Sequence, residues 1–340
     1  IAEVVSNPDV NIVVEVMGGV GKAREFVLDA LNGGKTVVTS NKELVCKYSH
    51  ELERAAKRHN AGLYFEASCV GGVPIIRTLL DGVQANHISS MMGIINGTTN
   101  YILTKMTNDG ASYEDVLKEA QALGYAEADP TADVEGFDAS YKLSILSSLA
   151  FHTKVPFSKV FREGITTITQ DDISYGKELG YSLKLLAIGK QTEEGIEVRV
   201  HPAFIKREHP LASVNDSFNA VYMTGDAVDD VMLYGRGAGA LPTGGERRQV
   251  RLQLQERILS APDGRRRGGC ARQDRSGFWK AVHLYPGDGA ERERKRGQGD
   301  ARARHTRNEG IFAPHGGRKS CVARDRFGRL RAPRRLLNFT

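Results

Sequence analysis

The sequence predicts an α/β fold: a parallel sheet with crossover helices, followed by an α+β region and then a basic tail. Three observations lead there. Three strand-like apolar runs alternate with two amphipathic helices between residues 11 and 67. Short β-patterned runs crowd residues 184–233. Beyond residue 245 both periods disappear and arginine takes over.

Residues 11–17, Asn-Ile-Val-Val-Glu-Val-Met, read as a buried strand ending at Gly18-Gly19. A helix follows at about 22–32, with Phe26, Val27, Ala30 and Leu31 on its apolar face and Gly33-Gly34 closing it. Residues 35–40 form a second strand, residues 43–59 a second helix, and residues 63–67 a third strand. Strand–helix–strand at this spacing requires right-handed crossovers and a parallel sheet. Ligands of such sheets bind at the carboxyl ends of the strands, where Gly18-Gly19 and Ser40-Asn41-Lys42 stand. The sheet is an incomplete Rossmann-like one, because no GxGxxG turn precedes Asn11. The phosphate-binding glycines are expected to lie outside this sequence, with weak cofactor binding as the consequence. Gly18–Lys22 is not a P-loop: Val16 stands at the first glycine position and Ala23 at the Ser/Thr position.

From Val73 the second region begins. Residues 87–97 alternate as a strand, and 98–108 and 113–123 are amphipathic helices. The runs 185–188, 196–200, 220–224 and 231–234 build a partly antiparallel sheet. The predicted organisation is 1–72, partial nucleotide domain; 73–234, substrate and dimerisation domain; 235–244, a loop returning to the first; and 245–340, the tail.

Residues 245–340 hold 22 Arg and 3 Lys against 10 acidic residues, although the whole chain carries a net charge of only +6. The four cysteines (Cys46, Cys69, Cys270, Cys321) are far apart, which argues against a zinc or disulfide framework and fits a reducing cytoplasm. No stretch approaches the about 18 apolar residues of a membrane span, and no signal peptide is visible.

The chemistry concentrates in residues 124–142. Glu127, Asp129, Asp133, Glu135 and Asp138 crowd a loop broken by Gly and Pro, and Lys142 follows Asp138 by one helical turn. Carboxylates beside one lysine suit a small substrate bearing an amine and a hydroxyl. The plainer reading is a solvated loop with a surface i, i+4 ion pair, worth a few tenths of a kcal/mol. Leu143, Ile145, Leu146, Leu149 and Ala150 make an apolar stripe that Lys142 borders. Partial desolvation there favours a proton donor and acceptor near neutral pH, unless the ammonium snorkels to water.

The run Ala120-x-x-x-Gly124-Tyr125-Ala126 … Asp129-Pro130-x-x-Asp133-Val134-x-Gly136-x-Asp138-x-x-x-Lys142 resembles the signature of homoserine dehydrogenases, with every fixed position filled. Val14–Gly19, Thr39–Glu43, Phe65–Ser68, Gly71–Ile76, Gly93–Leu103 and Gly235–Thr243 agree with that family, so the resemblance covers about residues 1–244. It implies interconversion of L-homoserine and L-aspartate 4-semialdehyde with NAD or NADP, in threonine, methionine and isoleucine biosynthesis, by a cytoplasmic homodimer.

The resemblance also implies roles. Lys142 moves the proton, with Asp138 and Lys42 as catalytic companions. Gly124, Glu127, Asp133 and Asp138 bind substrate, Glu127 taking the amine. Gly18, Gly19, Ser40, Asn41, Lys42 and Gly239 contact the cofactor, with Gly237 in the same return loop. Glu66, Cys69, Gly71 and Val73 form a loop for a sodium-like cation, mainly through backbone carbonyls. Lys42 otherwise reads as a solvent-facing lysine, poorly placed beside a positive helix terminus; the cation loop otherwise reads as a Gly-Gly turn into a Pro74 helix.

The tail departs from the family. Its arginine bias resembles translation in a shifted frame of GC-rich DNA. The competing reading is an inactive fragment whose basic segment binds nucleic acid through phosphate; against it, the aromatics are not interleaved as stacking platforms. Either way the segment offers too little apolar surface to order itself.

Overall fold

The computed structural model describes residues 2–239, 241–242, 244–245 and the backbone of 282–284. The other residues of the Arg-rich tail, and the readings placed on them, lie outside the described residues.

A short helix α1 (Ala2–Ser6) leads into the first sheet. Strands β1 (Ile12–Glu15), β2 (Thr36–Thr39) and β3 (Leu63–Tyr64) are parallel, with Val13 beside Val37 and Val37 beside Leu63. Helices α2 (Lys22–Asn32) and α3 (Lys42–Arg58) make the crossovers. Val13 and Val37 face them, in one core with Val27, Leu31, Leu44 and Leu52; Val14 and Val38 face the opposite side. Arg24 ties the helices by a two-pronged contact to Glu51, at 2.9 and 2.7 Å.

Two expectations change here. The third strand stops at Tyr64, because a 3-10 turn at Glu66–Ser68 takes the chain out of the sheet. A strand that the sequence reading did not assign, β10 (Val282–Leu284), pairs parallel with the free side of β1, with Val13 beside Val282.

The chain leaves the first sheet through Val70 and Gly71, both with left-handed backbone, φ 57° and 56°. A β-branched residue is costly there. Gly72 N–H donates to the Arg236 carbonyl at 3.1 Å, and a Cβ on Gly71 would collide with the Gly237 carbonyl. Only glycine allows these two strands of chain to cross so closely.

A short helix α4 (Ile75–Arg77) runs into one π-helical turn, Thr78–Gly82. The second sheet combines β4 (Ile88–Ile94), β5 (Phe161–Arg162), β6 (Tyr181–Thr192), β7 (Gly195–Lys206), β8 (Phe218–Gly225) and β9 (Asp229–Arg236) in the order β5-β7-β6-β4-β8-β9. All its pairs are antiparallel except β5 with β7, which bears out the mixed α+β expectation. Helices α5 (Gly97–Asp109) and α8 (Phe137–Ala150) share one core with one face of this sheet, through Ile102, Leu143 and Leu146 with Met91, Leu185 and Val221. The opposite face carries Ile94, Leu186, Ile188, Ala203 and Ala220, with Phe218 and Tyr222 packed beside them.

Helix α8 departs from the predicted one-sided stripe. It is buried on several sides, and Ser140, Ser144 and Ser147 are within the core. Ser140 and Ser144 satisfy their hydroxyls on the Gly136 and Val155 carbonyls, at 2.7 and 2.6 Å. Helices α6 (Tyr113–Ala122) and α7 (Thr131–Val134) bracket the acidic loop. Helix α9 (Gln170–Glu178), which the sequence reading left unassigned, starts with a reciprocal capping box between Thr169 and Asp172.

Candidate active site

The strongest charge constellation centres on Asp138. Its side chain is 6 % exposed and meets two ammonium groups: Lys142 Nζ lies 2.7 Å from Oδ2 and Lys42 Nζ lies 3.0 Å from Oδ1. The local i, i+4 pair is thus no solvated surface pair. Lys142 is 13 % exposed, and Nζ also donates to the Ile95 carbonyl at 2.9 Å. The ammonium is paired with a charge and a carbonyl, and is not the isolated desolvated lysine that the stripe suggested.

Burial by itself would push the Asp138 carboxyl up, but the adjacent Lys142 and Lys42 outweigh it and hold the group well below the usual carboxylate range. Lys42 is pushed upward, chiefly by Asp138, against the opposing effect of its own burial. These charges stabilise one another in a mostly enclosed site.

Of the five carboxylates in the acidic loop, two converge. Asp133 shares an amide with Asp138: Asn96 Nδ2 donates to Asp133 Oδ1 at 2.7 Å and to Asp138 Oδ2 at 2.9 Å. The Thr98 hydroxyl lies 3.0 Å from Asp133 Oδ2 and 2.7 Å from the Tyr125 carbonyl, so one proton serves two acceptors. Glu127 is exposed on the loop. Asp129 accepts from the Thr131 N–H at 3.1 Å, a turn contact. Glu135 turns away and accepts from Thr166 Oγ1 at 3.0 Å. Gly124 closes α6 with φ 76° and open space around it.

The carboxyl ends of β1 and β2 meet as the parallel topology requires. Gly18 and Gly19 have φ 76° and 69°, with nothing within 4 Å of where a Cβ would stand. A residue without an assigned role holds them: Glu15, fully buried, accepts from Met17 N–H at 2.7 Å, Gly18 N–H at 3.2 Å and Thr39 Oγ1 at 2.6 Å. Thr39 Oγ1 in turn accepts from Asn41 N–H at 3.0 Å. Asn41 caps α3 through Leu44 N–H at 3.0 Å, and its Nδ2 donates to the Gly19 carbonyl at 2.7 Å. Lys42 is the first residue of α3, so this network also aims it at Asp138. Ser40 stands half-buried between them, and its N–H reaches the Glu15 carbonyl at 3.4 Å. Gly239 has φ 123°.

The loop read as a cation site is tightly bonded. Glu66 accepts from Ile76 N–H at 2.7 Å and Arg77 N–H at 2.9 Å. Burial leads in pushing its carboxyl up, against those two N–H groups. Cys69 is fully buried, and its thiol is pushed up to about 12 by burial. Val73 offers its carbonyl to Ile75 N–H at 2.8 Å. Among the described residues no group of three or more His, Cys, Asp or Glu side chains could hold a metal, and no helix is long and apolar enough to cross a membrane.

Comparison with known proteins points to one family. The homoserine dehydrogenase family matches residues 74–246, and the NAD-binding domain of homoserine dehydrogenase matches residues 1–66. The homoserine dehydrogenase of Bacillus subtilis is 50 % identical over 241 residues, covering 71 % of this chain and 56 % of that protein. The Corynebacterium glutamicum enzyme is 50 % identical over 244 residues, covering 70 % and 55 %. The chain therefore spans little more than half the length of these relatives. A homoserine dehydrogenase structure from Thiobacillus denitrificans superposes with TM-score 0.74 at 47 % identity, over 77 % of this chain and 61 % of that one. A hyperthermophilic archaeal homoserine dehydrogenase in complex with NADPH superposes with TM-score 0.61 at 30 % identity, over 74 % and 72 %.

Proposed function

The chain belongs to the homoserine dehydrogenase family, and from that premise we propose that its site interconverts L-homoserine and L-aspartate 4-semialdehyde with NAD(P), in threonine, methionine and isoleucine biosynthesis. The observation that carries the reading is the buried Asp138 carboxylate clasped by Lys142 at 2.7 Å and Lys42 at 3.0 Å.

The residues present suit a dinucleotide. Open glycines at the ends of parallel strands let a ligand approach the backbone. Gly18, Gly19, Ser40, Asn41, Lys42 and Gly239 would hold it. Bound there, oxidised NAD(P) would accept hydride from the substrate carbinol carbon, and its reduced form would return hydride to the aldehyde carbon.

An ammonium has three N–H donors. Lys142 spends one on Asp138 and one on Ile95. One position remains for a substrate oxygen. In the reducing direction Lys142 donates a proton to the carbonyl oxygen, and in the oxidising direction its neutral amine takes the hydroxyl proton. Lys42, 41 % exposed, supplies a second positive charge where oxygen gains negative charge. Glu127, exposed on the loop, would take the substrate amine, with Gly124, Asp133 and Asp138 as the other substrate-binding residues.

A sodium-like cation would suit Glu66 with the carbonyls of Cys69, Gly71 and Val73. The protonated Cys69 thiol leaves only its carbonyl as a ligand. The homodimer that membership of the family implies would form through the second region of the chain.

Glu127 gives the test of substrate identity. Glu127→Gln is expected to raise KM for L-homoserine about tenfold or more, from the lost charged contact, with kcat changed far less. Steady-state kinetics with L-homoserine varied decides it; an unchanged KM would take the amine away from Glu127.

A further inference from the structure

Asp138 and Lys142 stand on one helix and Asp133 on another, and the link between them comes from residue 96. Asn96 is 5 % exposed and caps α5. Its Oδ1 accepts from Thr99 N–H and Thr99 Oγ1, each at 2.9 Å. Its Nδ2 donates one proton to Asp133 Oδ1 at 2.7 Å and the other to Asp138 Oδ2 at 2.9 Å. The amide has no second orientation. Turned over, its oxygen would face two carboxylates and its NH2 would face the Thr99 N–H. The neighbouring residue, Ile95, gives its carbonyl to Lys142 Nζ at 2.9 Å. One corner of chain therefore touches both acids and the lysine.

We propose that Asn96 is a positioning residue for the reaction: it locks the Asp133 and Asp138 carboxylates to each other, and through Asp138 Oδ2 it sets where Lys142 meets the substrate oxygen. This rests on the reading of the site as the homoserine-oxidising centre. Asp138 Oδ2 is the oxygen that Asn96 and Lys142 share, while Oδ1 goes to Lys42. The charged groups facing the amide are Asp133 from α7 and Asp138 from α8, with Lys142 and, from α3, Lys42 bound to the second. An uncharged double donor joins the two acids without adding a third charge. It also lowers their mutual repulsion, which would otherwise favour a proton shared between them.

Two variants separate this role from the helix cap, because Asp and Ser cap helices as Asn does. Asn96→Asp keeps the shape and the acceptor but loses the NH2. Asn96→Ser keeps a cap and is too short to reach either carboxylate. In the full chain both are expected to fold, because the cap is kept, but to melt below wild type, Asn96→Asp more so at neutral pH because it sets a third carboxylate beside Asp133 and Asp138. The folded variants are expected to lose about 10- to 100-fold in kcat, as for a lost charge-assisted contact. KM for the cofactor stays near wild type. The two then diverge with pH. For Asn96→Asp the ratio of its kcat to wild type rises as pH falls, because the extra carboxylate takes up a proton and becomes a donor again. For Asn96→Ser the ratio stays flat. Wild-type kcat in Asn96→Ser, or a ratio for Asn96→Asp that does not rise toward acid, overturns the proposal. If the wild-type chain does not oxidise homoserine, the functional reading fails, and carbon-13 carboxyl NMR of the folded chain decides the positioning role. The Asp138 titration moves upward in Asn96→Ser if Asn96 holds that carboxylate, and an unmoved titration overturns the role.

Discussion

Lys142→Ala is expected to lower kcat for homoserine oxidation by about 100- to 10,000-fold, the usual contribution of one positioned acid–base group. Cofactor affinity should change little, because the polar contacts of the Lys142 side chain are with Asp138 and the Ile95 carbonyl. The remaining ammonium, Lys42, stays on Asp138 Oδ1 and keeps the carboxylate paired. Steady-state kinetics beside a fluorescence titration with NADPH separates the two effects. Wild-type turnover in Lys142→Ala would remove the lysine from proton transfer. A collapse of cofactor binding with turnover would instead give it a structural role.

The second large effect concerns stability. Asp138→Ala leaves two neighbouring ammonium groups without their shared counter-charge. Breaking a buried pair in this way costs about 3–5 kcal/mol. The expected value lies near the lower end, since Lys42 is 41 % exposed and can rehydrate. Urea unfolding at neutral pH measures it, and a midpoint equal to wild type would show that the cluster contributes nothing to the fold. The pH dependence has a definite sign. The folded Asp138 carboxyl lies below its ordinary value of 3.8. Its contribution is therefore complete above that value and is lost as pH falls through the folded one. Lys42 is shifted upward from 10.5, so its contribution is complete below that value and is lost as pH rises further. Asp138→Asn should flatten both limbs of the stability curve. An acid limb as steep as wild type would place the acid sensitivity elsewhere.

Much of the first sheet was legible because its signals are local. The runs Ile-Val-Val-Glu and Thr-Val-Val-Thr are β-branched and bounded by glycine, and α2 and α3 show their apolar faces in register with them. The third strand was read too long because Phe65, Glu66 and Ala67 look like its continuation. What shortens it is a pair of partly buried hydrogen bonds ten and eleven residues away, from Ile76 and Arg77 of α4 to Glu66. Of the three charges that meet at Asp138, only Asp138 and Lys142 are close in sequence, and Lys42 comes from α3. The spacing showed that pair but not its burial, which depends on α3 and on the Ile95–Asn96 corner. The acidic loop looked like one cluster of five carboxylates. Folding divides it, because Asp129 and Glu135 find local partners at Thr131 and Thr166.

Asn96 and Glu15 carried weaker signals. An Asn directly before a Gly-Thr-Thr helix start reads as a cap, and it is one. Its other two bonds span 37 and 42 residues, beyond any local pattern. Glu15 was a lone acid inside an apolar run, and buried charges in that position need partners. Its partners are the glycine loop and Thr39.

The most direct measurement is the formation of reduced nicotinamide by the full chain at saturating NAD(P), with L-homoserine varied. Homoserine-dependent reduction that disappears in Lys142→Ala is the predicted result. A folded chain that binds cofactor and homoserine yet forms no reduced nicotinamide would contradict the assignment of Asp138, Lys142 and Lys42 as the reacting centre.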